Sequence, residues 1–166
     1  SSLLFLALTA TLATAATYNV PDDYPDIQSA VDSAIQGDTI TVGDGTWTGE
    51  NNRDIDFKGK NLTVESENGP ANCIIDCQRW GRAFNFHTYE NPISVVRGFT
   101  IINGYDEYSG GAIECDRASP TIEHCIMTNN TALYGGAIDC WESDPNIVSC
   151  IFYNNTAGAT GDGGAG

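Results

Sequence analysis

The sequence predicts an all-β fold: a right-handed parallel β-helix, or solenoid, closed near its N-terminal end by one short α-helix. Three observations predict it. The run GGAIECDRASPTIEHCIMTNN at 110–130 returns as GGAIDCWESDPNIVSCIFYNN at 135–155, and a third copy opens with GGAG at 163–166. Everything between residue 39 and these copies is short apolar runs broken by Gly, Asn, Asp and Pro. One segment alone, around 26–36, carries a helical period.

The repeat decides the architecture. Gly110 and Gly135, Cys115 and Cys140, and Cys125 and Cys150 each stand 25 residues apart. Periods of this size mark arrays in which each unit buries its apolar face against its neighbours. If one copy makes one turn of a coil, equivalent residues lie ~4.8 Å apart and pair as parallel strands. Alternation then sends Ile113, Cys115, Ile122, Cys125 and Met127 inward, and Glu114 and Asp139 outward. The interior becomes columns: Ile113 on Ile138, Ile122 on Ile147, Met127 on Phe152.

Degenerate earlier copies extend the pattern. VVRGFTIINGYDEYSGGAI at 95–113 aligns with TIEHCIMTNNTALYGGAI at 121–138. This sets Phe99 with Cys125 and Cys150, and Ile101 with Met127 and Phe152. IIDC at 74–77 aligns with AIEC at 112–115 and AIDC at 137–140, which puts Asp76 in the column of Glu114 and Asp139. Asn130 and Asn155 fall at equivalent corners, where stacked amides bond to each other as a ladder and avoid the cost of an unpaired buried group. The glycine pairs 110–111 and 135–136 fit corners that exclude a side chain or need a positive φ.

The helix is read from its own signals. Pro25 and Asp26 mark its start, Ile27, Ala30, Val31, Ala34 and Ile35 form one apolar stripe, and Gly37 ends it. It leads into a strand at Thr39–Val42. Further short strands are expected at 54–57 (DIDF), 61–64 (NLTV), 83–86 (AFNF) and 99–102 (FTII). The helix covers apolar and unpaired backbone groups that the first coil would otherwise expose.

Residues 1–16 form a separate segment, uncharged and apolar, ending in the small-x-small pattern ATA at 13–15. It reads as a signal peptide, or as a retained apolar segment packing on this subunit or a neighbour. Residues 17–166 are the solenoid, N-terminally capped, with its third repeat copy left incomplete. No membrane span is expected.

Charge narrows the partners. With 7 basic and 22 acidic residues the net charge is −15. Such a surface repels nucleic-acid phosphates and anionic headgroups, so no nucleic acid is expected. The six cysteines, Cys73, Cys77, Cys115, Cys125, Cys140 and Cys150, lack metal-binding spacing, and they read as disulfide candidates in an oxidising compartment. Pairing within each coil, Cys115–Cys125 and Cys140–Cys150 with Cys73–Cys77 left over, is the expectation. Pairing between coils, Cys115–Cys140 and Cys125–Cys150, is the alternative. The protein is therefore expected to be secreted or at the cell surface.

Certain motifs resemble known families. YPDIQSAVDSAIQGDTITVGDGTW resembles the opening of pectin-lyase-like β-helix proteins, with Trp47 where those carry Tyr. GGAI with FYNN (Phe152, Asn155) resembles the repeats of polymorphic outer-membrane proteins, Met127 and Asn130 making the weaker copy. The run from Cys73 to Tyr105 resembles a stretch of secreted bacterial right-handed β-helix repeat proteins. The resemblance spans 17–166 and implies the fold. It implies no single activity, because that superfamily holds lyases, hydrolases, esterases, adhesins and passenger domains. The calcium-holding carboxylate cluster with an arginine base, and the His-Gly and Arg-x-Lys signatures of its enzymes, are not found in this sequence.

The site candidates are accordingly modest. Asp76, Glu114 and Asp139, with Asp116 close by, form a carboxylate column that would suit Ca2+, the one cofactor to which the sequence points; a solvated acidic strip is the plainer reading. Trp80 and His87 lie in the longest insertion, and Trp141 follows Cys140 as a ledge; all three are candidates for touching sugar rings. Asn61, Asn129 and Asn154 open N-glycosylation sequons. The expected function is a non-catalytic structural or adhesive solenoid, self-associating into a filament by end-to-end stacking or by exchange of the N-terminal segment. The alternative is a carbohydrate-active enzyme, a polysaccharide lyase or glycoside hydrolase, or a carbohydrate-binding module.

Overall fold

The computed structural model of the chain describes residues 14–158. Most of the apolar N-terminal segment and the GGAG run at 163–166 lie outside the described residues. The rest is a parallel β-solenoid with one short α-helix. Every strand pair is parallel, and each strand pairs with its equivalent on the next turn.

The chain visits three sheets in rotation. The first has six strands: Thr17–Val20, Thr39–Val42, Thr63–Ser66, Val95–Arg97, Thr121–Glu123 and Asn146–Val148. The second has five: Gly45–Trp47, Cys73–Asp76, Thr100–Ile102, Ile126–Thr128 and Ile151–Tyr153. The third has three, Phe84–Phe86, Ile113–Asp116 and Ile138–Trp141, with Ile55 bridged to Phe84 below them. Two residues of each late turn, Thr131–Ala132 and Thr156–Ala157, add a small fourth ladder.

Alternation along these strands builds the interior. On the first sheet Ile40, Val64, Val96 and Ile122 stack in register and are fully buried. On the second, Ile75, Ile101 and Met127 do the same, with Phe152 above them. On the third, Phe84, Ile113 and Ile138 stack, as do Phe86, Cys115 and Cys140. Phe57, Phe84, Phe86 and Phe99 fill the middle of the coil, Phe57 meeting Phe86 edge-on at 5.0 Å between ring centroids. Such pairs favour the edge-to-face geometry that the ring quadrupole prefers.

Corners repeat as faithfully as strands. Gly98, His124 and Ser149, one per turn, all take a positive φ between the first and second sheets. Asn103, Asn129 and Asn154 do so after the second sheet. Asparagine tolerates this left-handed conformation better than most residues, so the corner is cheap where Asn recurs.

The helix spans Ile27–Ser33, shorter than the expected 26–36. Asp26 is its N-cap and accepts a hydrogen bond from the Ser29 N–H at 2.9 Å. Ile27, Ala30 and Val31 are buried against the first turns. Its end is set by Asp38 and Lys60 rather than by Gly37. The Ile35 N–H donates to the buried Asp38 carboxylate at 2.8 Å, which pulls the chain out of the helix and leaves Ile35 exposed. The Lys60 ammonium donates to the freed carbonyls of Val31 and Ala34.

One strand is new, and three further expectations are corrected. A strand at Thr17–Val20 precedes the helix and pairs with Thr39–Val42; its TYNV pattern was hidden beside the apolar segment. Of DIDF only Ile55 forms a bridge, because Asp54 takes a positive φ. NLTV is a strand shifted to Thr63–Ser66. Most consequential, IIDC does not share a column with AIEC and AIDC. Cys73–Asp76 belongs to the second sheet, where Asp76 pairs with Ile102. The third-sheet strand of that turn is Phe84–Phe86, so Asn85, not Asp76, lies under Glu114.

Candidate functional site

The outer face of the third sheet gathers the most chemistry. Its outward residues form two columns. Asn85, Glu114 and Asp139 make one, and His87, Asp116 and Trp141 the other, His87 continuing the register of Phe86 with Cys115. Tyr108 and Tyr134 arrive from the corners that precede this sheet, where Ser109 bridges Tyr134. A groove of about 430 Å³ runs between them, lined by both tyrosines, Ser109, Glu114, Asp116, Asp139, Cys140 and Trp141. A shallower depression of about 320 Å³ continues it past Asn85, His87 and Arg117, sharing Glu114 and Asp116.

The aromatic walls are open to solvent: Tyr108 is 64% exposed, Tyr134 64% and Trp141 65%. Exposed rings of this size have an apolar face to offer and a polar handle beside it. The carboxylates between them are held in different ways. Glu114 accepts a hydrogen bond from the Ser109 hydroxyl at 2.7 Å and pairs with the Arg82 guanidinium. Arg82 also pairs with Asp106 at 2.5 Å, and its side chain is only 8% exposed. Asp116 is gripped by the fork of Arg117 at 2.9 and 3.0 Å, and this hydrogen bonding holds its carboxyl below the usual range. Asp139 sits over Glu114 with no hydrogen bond to its carboxylate among the described residues.

The first sheet shows what a charge-compensated face looks like in the same molecule. There Glu65, Arg97 and Glu123 stack in one outward column, and Arg97 reaches Glu65 at 3.1 Å and Glu123 at 3.4 Å. The third sheet lacks that alternation: Glu114 and Asp139 are like-charged neighbours, with Arg82 approaching from below. Like charges set directly opposite each other across a ladder are destabilising, so this column is the costlier of the two.

The predicted candidates divide accordingly. Glu114, Asp139, His87 and Trp141 come together on the third-sheet face. Asp76 does not; its carboxylate accepts from the Gln78 N–H and the Asn103 amide, both at 2.9 Å. The three-carboxylate column that would suit Ca2+ is therefore not formed. No group of three or more His, Cys, Asp or Glu side chains among the described residues is placed to hold a metal ion. Trp80, 78% exposed, lines a separate depression of about 400 Å³ with Asp54, Arg79, Tyr105, Asp106 and Glu107. The Arg79 guanidinium lies 5.5 Å from the Tyr105 ring centroid there. Tyr108, Tyr134, Asn85 and Arg82 were not singled out from the sequence. The two tyrosines had a signal, since Tyr134 directly precedes a glycine pair and Tyr108 precedes one with Ser109 between; Arg82 had none.

The asparagines occupy three settings. Asn130 is fully buried; its amide donates to the Asn155 side chain at 3.0 Å and to the Ile101 carbonyl at 3.1 Å, and its oxygen accepts from the Gly104 N–H at 2.7 Å. Asn155 donates onward to the Met127 carbonyl at 2.8 Å. Asn129 and Asn154, the sequon residues beside them, are exposed at the positive-φ corner. Asn61 is half-buried, and its side chain accepts from the Ser94 hydroxyl at 3.3 Å.

All six cysteines carry free thiols. Among the described residues no helix is long and apolar enough to cross a membrane. Comparison of the chain with protein-family models, curated proteins and solved structures gives no significant match. The likeness to pectin-lyase-like proteins and to polymorphic outer-membrane repeats thus rests on the quoted motifs alone.

Proposed function

We propose that the chain is a secreted or cell-surface adhesive solenoid that holds a neutral saccharide along its third sheet. One observation carries this reading: the groove walled by Tyr108, Tyr134 and Trp141 with the carboxylates Glu114, Asp116 and Asp139 between them. Aromatic faces stack on the apolar faces of sugar rings, while carboxylates accept their hydroxyl protons. Concave sites with apolar walls and a few placed polar groups are what small ligands select. The net charge of −15 disfavours polyanionic sugars. A stiff, repetitive scaffold with side chains in fixed columns suits display rather than closure over a substrate. End-to-end stacking belongs to the same reading, since an all-parallel coil is built by adding like turn to like turn. Glycans on Asn129 and Asn154 would extend the surface on a different edge.

Titration calorimetry against a panel of neutral and acidic oligosaccharides tests the proposal. Binding of a neutral member, lowered at least about tenfold by Trp141→Ala, is the expected result; each 1.4 kcal/mol of lost contact is tenfold. Affinity unchanged in Trp141→Ala and Tyr134→Ala, or no binding across the panel, overturns it. A second reading, a lyase or hydrolase, draws on the adjacent carboxylates Glu114 and Asp139. Release of shortened sugars that disappears in both Glu114→Gln and Asp139→Asn would favour that reading instead.

A further inference from the structure

Four of the six cysteines meet in two pairs, and the pairing runs between turns. Cys115 and Cys140 are direct partners across the third sheet. Cys125 and Cys150 sit at the same position one residue before paired strands, and the Ile151 N–H donates to the Cys125 carbonyl at 2.9 Å. In both pairs the two thiols lie near enough to shift each other's ionisation. Parallel partners stand ~4.8 Å apart, inside the Cα separation that a disulfide spans.

The other two cysteines cannot join each other. Cys73, Ile75 and Cys77 are all buried, so the three side chains share the inward face of one extended run. Four extended residues cover ~13 Å, well beyond the ~7 Å limit for a bridge. Neither has a cysteine beside it on the next turn, since Ile74 pairs with Thr100 and the Cys77 N–H donates to Ile102.

We propose that Cys115–Cys140 and Cys125–Cys150 form two disulfides that staple successive turns, and that Cys73 and Cys77 remain thiols. This takes the between-coil alternative over the within-coil expectation and leaves Cys73 and Cys77 unpaired with each other. The chemistry is thiol–disulfide exchange with an organic disulfide. The Cys150 sulfur attacks one sulfur of the donor and expels one donor thiolate. Cys125 then loses its proton to solvent, attacks the Cys150 sulfur and expels the second donor thiolate. Two cysteines are oxidised by two electrons in total, and the donor is reduced to two thiols. Cys140 and Cys115 follow the same route. The polarity of each pair suits it. The neighbouring thiol is the chief influence in each pair: Cys125 brings the Cys150 thiol down to about 6, and Cys115 lowers Cys140. The more exposed cysteine of each pair is thus the better thiolate, and the buried one resolves.

The test uses the full chain, folded and incubated with glutathione disulfide, then alkylated under denaturing conditions. Cleavage before Asp76, Asp106, Asp116, Asp139 and Asp144 separates all six cysteines. Mass spectrometry is expected to find the Cys115 peptide joined to the Cys140 peptide, the Cys125 peptide joined to the Cys150 peptide, and alkylated Cys73 and Cys77. Cys140→Ser should leave Cys125–Cys150 intact and Cys115 alkylated. Six alkylated cysteines after oxidation, or a Cys115–Cys125 or Cys140–Cys150 link, overturns the proposal. Circular dichroism of the variant shows whether it has kept its strands.

Discussion

Asn130 concentrates more structural responsibility than any other polar side chain in the interior. It satisfies the Gly104 N–H, the Ile101 carbonyl and the Asn155 amide oxygen at once, and it is fully buried. Each buried group left without a partner costs ~1–3 kcal/mol. Asn130→Ala is therefore expected to lose about 3 kcal/mol in chemical denaturation, and a loss under about 0.5 kcal/mol would show that the ladder is ornamental. Asp106 gives a prediction in pH. Its burial alone would raise its carboxyl, but the Ser109 and Tyr108 N–H groups and Arg82 outweigh this and hold it below 3.8. A depressed folded value means that the stabilisation is present above the unfolded value and is lost as pH falls through the folded one. Asp106→Asn should flatten the acid limb of stability below pH 3.8, and an unchanged limb would refute this. Asp54, raised chiefly by burial, works in the opposite sense: its contribution is present below 3.8 and lost as pH rises through its folded value.

At the scale of strands and corners, glycine is required in two distinct ways. At Gly111 the demand is for space: a Cβ would collide with the Gly136 carbonyl oxygen and lie 2.7 Å from the Thr131 nitrogen. At Gly69 the φ is +87 with nothing within 4 Å of an added Cβ, so only conformation is at stake. Gly69→Ala should cost about 1–2 kcal/mol. Gly111→Ala should cost clearly more, since backbone has to move; equal costs by thermal melting would contradict the close stacking of corners. The same contrast explains what the sequence disclosed. The repeat gave the late turns outright, because their corners are equal in length and their glycines and asparagines recur. It misplaced Asp76, because Cys73–Asp76 shares an alternating pattern with the third-sheet strands while lying on a different sheet. First-sheet strands begin at Thr17, Thr39, Thr63, Val95, Thr121 and Asn146, and the widest gap is the one before Val95. A pattern match across that gap has no period to check it. The groove was half legible: its carboxylates and Trp141 ride on strands, while Tyr108 and Tyr134 reach it from corners.

For the molecule as a whole, stability is a sum over turns, since each touches only its neighbours. Ile101 sits at the centre of the second-sheet column, fully buried between Ile75 and Met127. Ile101→Ala should cost about 2–5 kcal/mol, as read from denaturant midpoints. A solenoid of this kind needs no distant contact to hold its groove, so Trp141→Ala should remove one wall of the groove and spare the fold.

Every ladder bond joins one turn to the next, so the bonds lie along the stacking direction. A tether fixed at one terminus and tugged at the other would load them one rank at a time, like tape peeled from a roll. In an optical trap the chain should yield in many small steps at low force rather than in a single high-force rupture. With the two staples in place, the stretch from Cys115 to Cys150 should lengthen only by the ten-residue spans 115–125 and 140–150 that share the load, until a reductant releases the rest.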